Sequence, residues 1–151
     1  MGYSSVSVQD LVLAITDIKE TPIAKQRYQV LIYLIDRKAV TETNFQITSC
    51  TYTKYSRGPN CNQISSAIKK SIESDLLYDN EQSESITIDY YSEFEENISD
   101  IPTDIINIVT EIVQDNKSKS LLQLQGEVKN YSEVDTCEKY SQIQLQKSVN
   151  D

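Results

Sequence analysis

The fold class is decided by the stretch LLYDNEQSESITIDYY, residues 76–91. Apolar and polar residues alternate over its second half, which places Ile86, Ile88 and Tyr90 on one face of an extended strand. The polar centre, with its Asp79-Asn80 step, has the residue types that favour a tight reversal of the chain. These features predict a two-stranded β-hairpin.

Three helical segments are predicted before this hairpin. The first, Val8–Lys19, repeats apolar residues at the spacing of one helical face. The second begins at Thr21-Pro22 and runs from Ile23 to about Lys38. Its apolar centre, residues 30–35, would also suit a buried strand, but the length of the segment favours a helix in the middle of the core. The third helix follows a turn at residues 57–60 and ends near Asp75.

The order helix, helix, helix, strand, strand is that of a winged helix. We therefore predict a mainly helical (α+β) fold, a winged helix-turn-helix with a two-stranded wing and a C-terminal helical extension. The connection Val40–Thr53 is rich in threonine and β-branched residues. It is predicted to contain either short extended pieces or irregular structure.

The chain is predicted to divide into five parts. These are a flexible leader (1–6), the winged-helix domain (7–91), an acidic linker (92–101), a helical extension (102–131) and a polar, partly disordered tail (132–151). The extension carries one apolar stripe, made of Ile105, Ile108, Val109, Ile112 and Val113. The stripe packs either on the core of the same chain or on a second copy, and we expect a homodimer through 102–131.

The composition excludes most catalytic chemistry. The chain has no histidine, so no histidine general base and no imidazole metal ligand can form. Its three cysteines, Cys50, Cys61 and Cys137, lack zinc-site spacing and are expected to be free thiols, with a Cys50–Cys61 disulfide as the alternative. Acidic pairs such as Glu95-Glu96 lie in a polar stretch and are expected to be solvated. We predict no enzyme activity, no cofactor and no metal site.

The chain shows no sign of export or membrane insertion. No apolar stretch approaches the ~18 residues of a membrane span, and no N-terminal apolar run follows a basic one. The Met1-Gly2 start lacks the serine or threonine that myristoylation needs, because Val6 stands at that position. We expect a cytoplasmic protein that does not contact the membrane.

Charge is unevenly distributed along the chain. The net charge of −9 disfavours nucleic-acid binding, because affinity for DNA depends on neutralising phosphates. Residues 21–70, however, hold eight basic and two acidic residues, a local charge of +6, which leaves −15 for the rest. The middle of the chain is therefore predicted to form a basic surface on an acidic molecule.

This basic segment includes the third helix and the turn before it, where a winged helix places its recognition helix. Phosphate contacts are predicted from the cations Arg27, Lys54, Arg57, Lys69 and Lys70. Base contacts are predicted from Asn62, Gln63 and Ser66. A solvated helix face is the alternative interpretation of Lys69 and Lys70.

The stretch KQRYQVLIYL, residues 25–34, resembles the second helix of the YwgA-like winged-helix proteins of archaea and bacteria. These are related to phage-associated antitoxin-like winged-helix proteins. The stretch YSRGPNC, residues 55–61, is similar to the turn before the third helix of that group. The resemblance covers about residues 9–131 and implies a winged-helix fold, with a role as a regulator or an interaction module.

Two functions fit these features. We predict a transcriptional or accessory regulator that binds double-stranded DNA through the third helix. The tip of the wing opposes this prediction, because it carries Asp79, Glu81 and Glu84 and no basic residue. The alternative is a protein-interaction module, either an adaptor, an antitoxin-like protein or a DNA mimic. Such a module would bind its protein partner through the helical extension and the acidic surface.

Overall fold

Helices make up most of the described part of the chain. A computed structural model describes residues 3, 5–19, 23–80, 85–88 and 101–145. The helices are α1 (Val8–Lys19), α2 (Lys25–Thr43), α3 (Asn62–Glu73), α4 (Thr103–Asp115), α5 (Leu121–Lys129) and α6 (Ser132–Asp135). The strands are β1 (Ile23–Ala24), β2 (Thr53–Tyr55), β3 (Gly58–Asn60), β4 (Leu77–Asn80) and β5 (Ser85–Ile88). The prediction of a mainly helical chain with a small antiparallel sheet is confirmed.

The strands form two small antiparallel sheets. In the first, β5 lies between β1 and β4, with Ile86 opposite Ile23 and Ile88 opposite Leu77. This pairing confirms the hairpin predicted from residues 76–91, although residues 81–84 and 89–91 lie outside the described part. In the second sheet, β2 pairs with β3, and Lys54 stands opposite Pro59.

The β2–β3 hairpin replaces the simple turn predicted at residues 57–60. Its sequence signal is weak, because each strand has three residues and Pro59 has no N–H to donate. Contacts from a distant segment complete it. The N–H of Lys54 donates to the carbonyl of Ser141 at 3.0 Å, and the N–H of Ile143 donates to the carbonyl of Tyr52 at 2.8 Å. The C-terminal segment therefore helps to define this hairpin.

Helix α2 lies at the centre of the core, as its apolar run predicts. Tyr28, Ile32 and Ile35 are fully buried. The helix does not begin at Ile23, because Ile23 and Ala24 pair with β5 as strand β1. It also runs beyond Lys38 to Thr43 and ends where Asn44 adopts a left-handed φ of 69°. Both ends predicted for this helix therefore need correction, while its central position is confirmed.

The C-terminal helices share a core with the N-terminal ones. Helix α4 packs against α1 and α2, and α5 packs against α2 and β3. The stripe predicted on α4 is buried through Ile105, Ile108, Val109 and Val113. Of the two alternatives for this stripe, the structure shows packing on the core of the same chain. A homodimer through 102–131 stays a prediction.

Residues 132–145 also belong to the core. Val134, Ile143 and Leu145 are buried, although the segment is polar overall. Gln142 forms an antiparallel bridge with Thr53. A few well-placed apolar residues therefore hold residues 132–145 on the core, and the partly disordered tail predicted over 132–151 stays a prediction. Leader residues 1, 2 and 4, linker residues 92–100 and tail residues 146–151 lie outside the described part.

Candidate interaction surfaces

Helix α3 presents a polar face to solvent. It buries Ile64, Ala67, Ile68 and Ser71, and it packs against α1 and α2. Its opposite face exposes five of the eight residues predicted to contact DNA: Asn62, Gln63, Ser66, Lys69 and Lys70. These five line one cleft beside Ser7 and Gln9. The structure therefore brings them together on one surface, here called the α3 face.

Two predicted phosphate contacts point instead into the protein. Arg27 is 9% exposed, and its guanidinium donates to the carbonyls of Asn116 at 2.7 Å and Lys119 at 2.9 Å, just after α4. Burial lowers the pKa of Arg27 from its ordinary value. The ammonium of Lys54 donates to the carbonyl of Cys137 at 2.9 Å, just after α6. The carbonyl of Asn116 lies at the C-terminal end of α4, where the positive charge of Arg27 stabilises the helix dipole.

Arg57, the eighth predicted residue, lies on a different surface from the α3 face. It is exposed at the β2–β3 turn. It lines a cleft with Leu121, Leu122, Gln125, Gly126 and Lys129. The next residue, Gly58, has a φ of +118° and lies where an added Cβ would be 3.8 Å from Cγ of Lys129. The turn thus holds Arg57 beside the exposed side of α5.

Exposed aromatic and aliphatic side chains also lie on the β2–β3 hairpin, on α5 and in the segment after α6. Tyr55 is 40% exposed and Tyr140 is 66% exposed, and their ring centroids lie 5.6 Å apart in an edge-to-face arrangement. Leu122, which lines the same cleft as Arg57, is 80% exposed. We call the group Tyr55, Arg57, Leu122, Lys129 and Tyr140 the hairpin surface. The sequence prediction missed its three apolar members, because periodicity does not distinguish an exposed tyrosine from a core one.

A buried carboxylate fixes the chain that leads into the hairpin. Asp36 in α2 is fully buried and accepts hydrogen bonds from the N–H groups of Ile47 and Thr48, each at 3.0 Å. The hydroxyls of Thr48 and Tyr52 donate to it as well. Burial raises the pKa of Asp36, and these hydrogen bonds offset part of that rise. Its enclosure by backbone and hydroxyl donors makes Asp36 a structural group that positions residues 46–52.

Within the described residues, no group of cysteine and acidic side chains is arranged to hold a metal ion. None of the helices in that part of the chain is long and apolar enough to cross a lipid bilayer.

The fold and the two surfaces define a small, mainly helical domain that presents a polar helix face and an aromatic hairpin to solvent. The family model described as antitoxin SocA-like, Panacea domain matches residues 29–146. The chain belongs to this family. No curated protein and no solved structure matches the chain. The match confirms the antitoxin-like part of the resemblance seen in the sequence, whereas the YwgA-like assignment stays a prediction.

Proposed function

We propose that the chain is an antitoxin-like module that binds a protein toxin, and that the hairpin surface is its docking site. Membership of the SocA-like antitoxin family carries this proposal. It favours the interaction module over the DNA-binding regulator that the sequence alone suggested. The hairpin and all of α5 lie within the matched segment, residues 29–146.

The residue types of the hairpin surface support docking there. Tyrosine and arginine are enriched among the residues that contribute most to protein–protein binding. Tyr55 and Tyr140 already pack against each other at 5.6 Å, so little side-chain entropy is lost when a partner covers them. Leu122, with 80% of its surface exposed, offers an aliphatic group that a pocket in the partner can desolvate.

The charge of the same surface indicates the chemistry of the partner. Arg57 and Lys129 line the cleft that holds Leu122, and the ammonium of Lys139 lies 5.2 Å from the ring of Tyr140. These cations stand on a chain whose net charge is −9. A partner that presents an apolar patch with acidic residues around it complements this surface.

Quantitative capture with matched variants tests the proposal. The tagged chain is incubated with lysate of the source cells, and bound proteins are compared between wild type and Tyr55→Ala/Leu122→Ala. Phe45→Ala is the control, because Phe45 is 54% exposed and lies outside the hairpin surface. We expect one protein to be captured by wild type and Phe45→Ala, and its recovery to fall at least tenfold with the double variant, as loss of two anchor residues implies.

Growth of cells that express the captured protein provides the decisive step. Expression of that protein alone should arrest growth, and co-expression of the wild-type chain should restore it. Co-expression of Tyr55→Ala/Leu122→Ala should restore growth poorly. A captured protein that is harmless by itself would overturn the antitoxin assignment. Full rescue by the double variant would overturn the location of the docking site.

The α3 face supports a second candidate, a winged helix that binds DNA. We infer a winged-helix arrangement because β1, between the first two helices, pairs with β5, and the β4–β5 hairpin follows α3. In this arrangement α3 is the recognition helix, and Asn62, Gln63 and Ser66 face the bases while Lys69 and Lys70 face phosphates. DNA binding by a variant with Lys69 and Lys70 both changed to glutamate tests this candidate.

A further inference from the structure

Helix α5 contains a glycine that the packing of the chain does not require. Gly126 lies within α5, where a glycine weakens the helix because it gives the unfolded chain more freedom. Its backbone is helical and lacks the positive φ that Gly58 shows. Within the described part of the chain, an added Cβ at Gly126 would meet nothing within 4 Å. Neither the backbone nor a neighbour therefore explains this glycine, which leaves an outside contact as its physical reason.

A cleft opens beside Gly126, between α5 and the β2–β3 turn. Its volume is about 580 Å³, and pockets of about 300–1,000 Å³ hold small ligands. Residues three or four positions apart share one face of a helix, so the α5 side chains that line the cleft form a continuous wall. The lining residues are Arg57, Leu121, Leu122, Gln125, Gly126 and Lys129.

The cleft is positively charged as well as apolar. Arg57 and Lys129 line it, and among the described residues no acidic side chain does. The one acid of α5, Glu127, has its carboxylate 3.0 Å from the ammonium of Lys119. Two cations beside two leucine side chains complement an apolar group that has carboxylates next to it.

An acidic partner fits this cleft better than a second copy of the chain. In a symmetric dimer the same patch faces itself, which would bring Arg57 and Lys129 of one copy towards the same cations of the other. Like charges that meet at an interface repel each other. The charge of the cleft therefore favours a different protein as its occupant.

We propose that this cleft is a subsite that receives one aliphatic or aromatic side chain of the protein partner, and that Gly126 leaves the room for it. The inserted side chain packs on Leu121 and Leu122. Carboxylates next to it in the partner pair with Arg57 and Lys129. The subsite rests on the proposed function, since it specifies which part of the toxin is bound. Gly126 then determines how large a side chain the cleft accepts.

Selection from a library of random peptides displayed on phage tests the chemistry of the cleft without the toxin. The full chain is immobilised, and an enriched peptide is synthesised with a fluorescent label for anisotropy measurements. We expect the enriched peptides to share one aliphatic or aromatic residue flanked by aspartate or glutamate. Their affinity should fall as salt is raised, because salt screens the pairing with Arg57 and Lys129.

Two substitutions of Gly126 separate the space in the cleft from the stability of the helix. Gly126→Leu fills the cleft, and we expect it to weaken peptide binding at least tenfold. Gly126→Ala is the matched control, because it adds a single methyl group and should change the affinity by no more than about fourfold. Thermal unfolding should show both variants to be at least as stable as wild type, since alanine and leucine favour helix more than glycine does.

A charge variant provides the second measurement. Lys129→Glu leaves the cleft open and reverses one of its cations, so it should weaken peptide binding at low salt and have less effect at high salt. This result decides the matter even if Gly126→Leu fails to fold.

The outcomes distinguish the subsite from the antitoxin assignment. Selection that enriches no peptide of the expected type would overturn the subsite, and so would equal peptide affinity of wild type and Gly126→Leu. A wild-type dimer that Gly126→Leu converts into a monomer would overturn it too, because a second copy would then occupy the cleft. If Gly126→Leu rescues growth from the captured toxin as well as wild type does, the subsite is wrong and the antitoxin assignment stands. If no captured protein arrests growth, the assignment fails, and the peptide measurements still decide whether the cleft binds an acidic, apolar segment.

Discussion

At the residue scale, Asp36 couples the centre of α2 to the segment that leads into the hairpin. Its carboxylate accepts from two backbone N–H groups and from the hydroxyls of Thr48 and Tyr52, and solvent does not reach it. Removal of the acceptor leaves these donors buried without a partner. We expect Asp36→Ala to lower the free energy of unfolding by about 3 kcal/mol or more, measured by urea denaturation.

The pH dependence of stability should identify the same carboxylate. Burial raises the pKa of Asp36, so the folded chain binds this proton more tightly than the unfolded chain does. The stabilisation is therefore greatest at low pH and is lost as the pH rises through the folded pKa. In urea titrations at several pH values, the unfolding free energy of wild type relative to Asp36→Asn should rise as the pH falls towards about 4. A difference that does not vary with pH would contradict this.

At the element scale, Arg27 joins α2 to the end of α4. Its two hydrogen bonds to the carbonyls of Asn116 and Lys119 are charge-assisted and nearly buried. We expect Arg27→Ala to cost about 2–4 kcal/mol of stability by denaturant unfolding, because both carbonyls lose their donor. Arg27→Lys should recover part of that loss. If Arg27 were instead a phosphate contact, Arg27→Ala would weaken DNA binding and leave the unfolding transition unchanged.

Two glycines offer a matched test of the hairpin and of α5. Gly58 has a φ of +118°, which residues other than glycine rarely adopt. Gly58→Ala should therefore destabilise the chain by about 1–3 kcal/mol. Gly126 lies in α5, and an added Cβ there meets nothing within 4 Å. Gly126→Ala should therefore stabilise the chain by about 0.5–1 kcal/mol. Thermal unfolding measures the change in stability that each substitution causes. A change of the same sign in both variants would refute the assignment of strain to Gly58.

The elements differ in how far the sequence predicts them. Helix α1 and the β4–β5 hairpin follow from periodicity, because each is long enough for one face to repeat. Strand β1 and the β2–β3 hairpin could not be predicted in this way, since each depends on pairing with distant residues such as Ile86 and Ser141. Residue roles follow the same rule. The exposed lysines of α3 lie where helical spacing places them. The side chain of Arg27 points inward because it donates hydrogen bonds to carbonyls just after α4, and helical spacing does not predict these contacts.

At the scale of the whole molecule, α5 is better placed than α4 to form the contact between two copies in a homodimer. The apolar stripe of α4 is covered by α1 and α2, so it offers little surface to a second copy. Leu122, 80% exposed on α5, is the residue that a homodimer through 102–131 would bury. Light scattering measures the oligomeric state of wild type and of Leu122→Glu. A dimer that Leu122→Glu converts into a monomer would confirm the predicted contact, and a wild-type monomer at high concentration would contradict it.

Lys69 and Lys70 line a different cleft from Leu122, which lets DNA binding and partner binding be tested independently. The α3 face gathers Lys69 and Lys70 with three amide and hydroxyl side chains, while Leu122 lies with Arg57 and Lys129 in the cleft between the β2–β3 turn and α5. Cations that neutralise phosphates make DNA affinity fall steeply with salt. Cations that lie on a solvated helix face without a ligand produce no such dependence.

Lys69→Glu/Lys70→Glu is the variant that decides between these two roles for α3. If α3 binds DNA, wild type should bind a duplex at low salt and lose affinity as salt rises, and the double reversal should abolish binding. Both lysines are exposed, so the variant should fold like wild type. Leu122→Ala is the matched control, because Leu122 lines a different cleft from the α3 face and its truncation should leave DNA affinity unchanged. Fluorescence anisotropy at two salt concentrations measures all three proteins. Equal binding by wild type and the charge-reversed variant would exclude α3 as the DNA contact and leave the protein-interaction module proposed from the family membership.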